Sequence, residues 1–186
     1  MKQITRWYIT TYMSGLLNND DIIIRAAKPD EWEDAMELVW NTFVKYEAPT
    51  YGKEGSDIFL KFISGEELYQ MFINGDYKVA VAMQKDRIVG VGSMRSHNHV
   101  SLLFVDSKLH KRGIGRNLLE FMQATFLGKG SCVMSVNAAP YAVNFYKKVG
   151  FVATDVEQCA DGITFQPMMI LTPINNDRGE QNESHP

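Results

Sequence analysis

Apolar positions along the chain switch repeatedly between two periods. Ile22-Ile23-Ile24-Arg25-Ala26-Ala27 is β-rich and predicts a strand, stopped by Lys28-Pro29-Asp30. Asp30 with Glu33 three residues on gives a capping-box pattern. Trp32, Ala35, Met36, Val39, Trp40 and Phe43 then recur at helical spacing, predicting a helix from about 30 to 45. Tyr46 to Gly55 is rich in glycine and polar residues and reads as a loop. Ser56 is placed to cap a second helix carrying Ile58, Phe59, Phe62 and Ile63. The pattern restarts at Ser64-Gly65-Glu66-Glu67, with Leu68, Met71 and Phe72 facing inward. After the turn Asn74-Gly75-Asp76, the runs 77–83, 88–94 and 100–105 predict three strands of an antiparallel meander. A helix burying Leu118, Leu119, Met122 and Phe126 follows and ends at 128–130. Ser131 to Val136 reads as a buried strand roughly parallel to the preceding one, because a helix connects them. A last helix begins near Pro140 and ends at Gly150. Runs at 151–154 and 163–171, turning at Asp161-Gly162, complete the sheet.

The order β–α–α–β–β–β–α–β–α–β–β is that of a mixed α/β domain. The chain has 186 residues, 45% hydrophobic and 22% charged, which suits one soluble domain with a proper core. The domain is expected over 21–173. Residues 1–20 read as an appended segment and 174–186 as a polar, disordered tail. No apolar run reaches membrane-spanning length, and the interrupted start lacks a signal-peptide pattern. A net charge of −3 argues against a nucleic-acid binder. Cys132 and Cys159 lack metal spacing and read as free thiols of a reducing cytoplasm, with Cys132 in the core. No metal-ligand cluster is present in the sequence.

Against this acidic background one stretch is basic. The strand Val100–Val105 turns through Asp106-Ser107-Lys108 into His110-Lys111-Arg112-Gly113-Ile114-Gly115-Arg116, where helical spacing takes over. Free amides at a helix start, two glycines and four cations make an anion site. There is neither the Gly-Lys-Ser/Thr ending of a P-loop nor the third glycine of the dinucleotide fingerprint.

His110 to Gly115 resembles motif A of the GNAT superfamily of acyl-CoA-dependent N-acetyltransferases, Arg/Gln-x-x-Gly-x-Gly/Ala, with His in place of Arg or Gln. Downstream, Asn137-Ala138-Ala139-Pro140-Tyr141-Ala142-Val143-Asn144-Phe145-Tyr146-Lys147-Lys148-Val149-Gly150-Phe151 resembles motif B. The resemblance implies a mixed, mostly antiparallel sheet of six to seven strands with about four helices. It implies a sheet splayed between the motif A strand and the next. It also implies an N-acetyltransferase that moves an acetyl group from acetyl-CoA to a primary amine of a small molecule or peptide, by direct attack in a ternary complex and without a metal.

On that reading the cofactor-binding residues are Phe104 and Val105 for the pantetheine arm, and His110, Lys111, Arg112, Gly113, Ile114, Gly115 and Arg116 for the diphosphate. Asn144 matches a cofactor-contacting position, and Asn137 faces the slot or caps the last helix. Tyr146 matches the acid tyrosine that protonates the leaving thiolate. The general base is open: Glu47 is the leading candidate, beside Glu54, His97, His99 and ordered water. Tyr51, Tyr69, Tyr77 and Trp40 are candidates for an amine pocket. A non-catalytic acyl-CoA-binding or regulatory domain is the alternative, and a homodimer is compatible with edge strands.

Overall fold

The computed structural model describes residues 22–128 and 130–172; the expected segments 1–20 and 174–186 lie outside them. Eight strands form β1 (Ile22–Ala26), β2 (Tyr77–Gln84), β3 (Arg87–Arg95), β4 (His99–Val105), β5 (Val133–Ala138), β6 (Val152–Ala153), β7 (Gln158–Ala160) and β8 (Ile163–Leu171). Five helices are α1 (Trp32–Tyr46), α2 (Ala48–Ser64), α3 (Glu66–Asn74), α4 (Ile114–Thr125) and α5 (Val143–Lys148). The strand order is β1-β2-β3-β4-β5-β8-β6, with β7 also on β8. Among the described strands only β4 and β5 run parallel. The mixed α/β expectation holds, with one short strand more than the pattern indicated, β7.

Both faces of the sheet are buried. Along β2, Tyr77, Val79 and Val81 join the core under α1–α3, while Ala80 and Ala82 join the core under α4 and α5. This alternation is the period of a strand packed on two sides. Gly90 of β3 lies under α4, where a Cβ would come within 3.1 Å of Leu118 and 3.2 Å of Ile114. Absence of that Cβ lets α4 lie close to the sheet, which fixes where its N-terminus emerges.

Four local expectations are corrected. The first helix is preceded by a 3₁₀ turn, Pro29–Glu31, and the capping acid is Glu31 rather than Glu33: its carboxylate accepts the Lys28 N–H at 2.8 Å and pairs with Arg25. Residues 48–55 are helical and not a loop. Pro49 sits in the first turn, where its missing N–H costs nothing, and Gly52 (φ 65°) supplies a kink that only glycine adopts freely. Cys132 is exposed, because β5 starts one residue later. Met71 is also exposed, at the solvent side of α3.

The splay is visible in the register. β4 meets β5 only at His99↔Ser135 and Val100↔Val136, although β4 continues to Val105 and β5 to Ala138. The remaining edges of the two strands diverge and leave a V-shaped slot. His97 and His99 stand at the closed end. Gly128, just beyond α4, donates its N–H to the His97 carbonyl, and a helix of 12 residues is ~18 Å long. His99 is tied to Ser135 Oγ at 3.0 Å. Neither histidine is near the open end.

Candidate active site

The slot contains a cavity of about 550 Å³. Its floor is the end of β4, with Leu103, Phe104 and Val105. Asp106 N–H donates across to the Val89 carbonyl of β3 at 2.9 Å. Peptide directions alternate along a strand, so the Val105 N–H and C=O face the opposite way, into the slot. His110 Nε2 donates to that carbonyl at 2.8 Å. The side chain at this motif position is therefore turned back onto the strand end, not outward to an anion.

One wall is the turn that starts α4. Gly113 caps the helix at φ 84°, ψ −5°, and Lys111 also lies at positive φ (64°). This left-handed backbone directs the first amides of α4 outward, where the helix dipole favours negative charge. His110, Lys111, Gly113, Ile114, Gly115 and Arg116 all line the cavity. Arg112 is exposed and is not among the lining residues. The chain thus offers backbone donors and two flanking cations, which fits a diphosphate.

The facing wall comes from motif B. Tyr141, Asn144, Phe145 and Tyr146 line the cavity. Asn137 is exposed on β5 opposite Pro167 and does not line it. Tyr146 is buried, and desolvation together with the charge of Glu47 pushes its hydroxyl well above the usual tyrosine range.

Glu47 closes the slot at the α1–α2 junction. It is half-buried and lines the cavity. Burial raises its carboxyl to about 7, against a smaller opposing effect from a hydrogen bond with Tyr51. A carboxyl near 7 is well matched to proton abstraction at neutral pH. Tyr51 is buried against Phe43, with ring centroids 5.7 Å apart. Glu54 is exposed on α2 and outside the cavity. Trp40 and Tyr69 pack on Phe43 and Trp32, and Tyr77 hydrogen-bonds Ser93 in the core at 2.6 Å, so none of the three belongs to the pocket.

The sequence reading missed the aromatic bridge over the slot. Tyr46, the last residue of α1, stacks on Tyr141 at 5.1 Å and lies 5.2 Å from the His110 ring. Tyr46 comes from the β4 side and Tyr141 from the segment after β5, so the pair joins the two arms of the V. Tyr141 immediately follows Pro140 within motif B, which was the available signal for it.

A family model described as an acetyltransferase (GNAT) domain matches residues 47–172. The chain belongs to the GNAT acetyltransferase family. The fold agrees. PaiA N-acetyltransferase from Thermoplasma acidophilum, in complex with coenzyme A, superposes with a TM-score of 0.69 at 20% identity, covering 81% of this chain and 99% of that one. A GCN5-related N-acetyltransferase from Rhodopseudomonas palustris gives 0.69 at 18%, covering 80% and 94%. Escherichia coli YjaB gives 0.59 at 22%, covering 81% and 98%. A search of curated protein sequences returns no match. As a GNAT acetyltransferase, the protein uses an acyl-CoA donor and an acceptor. Among the described residues no cluster of metal ligands occurs and no helix is long and apolar enough to cross a membrane.

Proposed function

We propose that this protein transfers the acetyl group of acetyl-CoA to a primary amine by direct attack in a ternary complex. The observation that carries the reading is Glu47: a half-buried carboxylate with its pKa near 7, in the same cavity as Tyr146 and the amides that start α4.

The turn 110–116 holds the diphosphate, and the open edge of β4 receives the pantetheine arm. An ammonium, with a pKa near ~10, must first lose a proton, and Glu47 takes it. The free nitrogen attacks the thioester carbonyl. The slot-facing Val105 N–H donates to the oxygen as charge develops on it. The C–S bond breaks as the C–N bond forms, Tyr146 donates its proton to the departing sulfur, the second proton from nitrogen restores the Tyr146 hydroxyl, and Glu47 returns the first to solvent. Burial keeps the Tyr146 proton in place at working pH. One proton is released per acetyl group transferred.

The free, exposed thiols of Cys132 and Cys159 agree with a reducing, cytoplasmic setting. Release of CoA thiol on mixing protein, acetyl-CoA and a panel of amines tests the function. Turnover that drops ~10²–10⁴-fold in Glu47→Gln and also falls in Tyr146→Phe supports it. Tight acetyl-CoA binding without turnover of any amine contradicts it and leaves a binding domain.

A further inference from the structure

The cavity is electrically divided. Its lysines and arginine (Lys111, Arg116, Lys148) sit on the turn before α4, on α4 itself and on α5, the side that meets the phosphates. Glu47 is the single carboxylate among the described lining residues. Burial and a Tyr51 hydrogen bond account for its shifted proton affinity, and no lysine or arginine contributes. A desolvated carboxylate without a cation is costly, so the position favours a ligand that brings the cation.

The surroundings of Glu47 define the rest of that ligand. Tyr46 precedes it in the chain, and Tyr141 stacks on Tyr46 from the other arm. Burial first, then Tyr46 and then the charge of Glu47 raise the pKa of the Tyr141 hydroxyl, so that phenol lies within the field of Glu47. Tyr141 remains 53% exposed, so a face of the pair is open to a ligand. Aromatic faces attract both flat apolar bodies and cations.

We propose that the acceptor is a small monocationic amine with a flat or apolar body and no carboxylate, its ammonium at Glu47 and its body against Tyr46 and Tyr141. This rests on the acetyl-transfer reading above and narrows it. A carboxylate on the acceptor would lie beside the Glu47 charge, and the cation nearest the aromatic pair, Lys45 Nζ at 5.3 Å from the Tyr46 ring centroid, is already engaged with Ser107 Oγ at 2.9 Å. A polyhydroxylated body would lose its water against two tyrosine rings without replacement hydrogen bonds.

Three matched amines test this: 2-phenylethylamine, phenylalanine and phenylalaninamide. The second adds a carboxylate to the first, and the third removes that charge. The expected result is a kcat/KM at least ~10-fold higher for 2-phenylethylamine than for phenylalanine, with phenylalaninamide recovering most of the difference. In Tyr141→Ala, kcat/KM for 2-phenylethylamine falls ~10-fold and for ethylamine by less, while Tyr141→Phe retains the preference. Calorimetric binding of 2-phenylethylamine to the CoA-loaded protein is read independently of turnover. Binding without turnover contradicts acetyl transfer but upholds the amine site. Equal or better use of phenylalanine, an equal loss for both amines in Tyr141→Ala, or failure of 2-phenylethylamine to bind overturns the inference.

Discussion

Glu47 should make the folded protein less stable at the pH where it works. Its carboxyl stands at about 7 in the fold, against an ordinary 4.5. Between these values the folded chain keeps a proton that the unfolded chain has lost. Stability therefore falls as pH rises through this window, and above 7 the full penalty is present. At ~1.4 kcal/mol per pH unit the ceiling is ~3 kcal/mol. Glu47→Gln removes the charge, and its amide oxygen still accepts from Tyr51. Thermal unfolding of both proteins at pH 5 and pH 8 is the assay. At pH 8 the variant should melt higher by up to ~6–12 °C, given ~2–4 °C per kcal/mol for a chain of this size. At pH 5 the folded carboxyl is protonated while the unfolded one, with its ordinary value of 4.5, is largely ionised, so the difference should shrink to about a quarter of its pH 8 size. A variant no more stable than wild type at pH 8 would show that the carboxylate is solvated or paired, and would remove the physical basis for its role as base. Gain of stability with loss of activity is the trade-off expected of a group held in an unfavourable charge state for function.

Tyr51→Phe deletes the hydrogen bond that lowers the Glu47 pKa, so the acid limb of the kcat/KM–pH profile should move above 7; an unmoved limb contradicts the contact. His110→Ala should raise KM for acetyl-CoA by freeing the Val105 carbonyl, and His110→Gln, which keeps an N–H of similar reach, should recover it; equal KM values in all three proteins refute that positioning role. Gly55→Ala should destabilise by ~1–3 kcal/mol in a denaturant melt, because its Cβ would sit 2.9 Å from the Gly162 carbonyl, where α2 meets the β7–β8 turn.

The strands and helices carrying motifs A and B were legible because pattern, turn residues and element order agreed there. Ile114, Leu118 and Met122 at helical spacing, and Val100, Leu102 and Phe104 at strand spacing, are all buried. The stretch 46–55 was not legible. Pro49, Gly52 and Gly55 signal a break in local terms, whereas the chain places proline in a first turn, uses one glycine for a kink and packs the other against Gly162. The same loop reading put Glu47 on an exposed connection, with nothing to mark it as buried. Its burial follows from Tyr51 one turn later packing on Phe43, a tertiary contact that no local rule contains. The aromatic bridge escaped for the same reason: Tyr46 and Tyr141 are far apart in sequence and meet because the strands splay.

The most direct test of the account is calorimetric titration with acetyl-CoA, with Arg116→Glu alongside. Arg116 is exposed in the first turn of α4, where an acidic residue favours the helix, so the variant should stay folded. Wild-type binding that weakens ~10-fold or more in the variant is the predicted result. Absence of acetyl-CoA binding by the wild type, or equal affinity in both proteins, would contradict a diphosphate site at the start of α4.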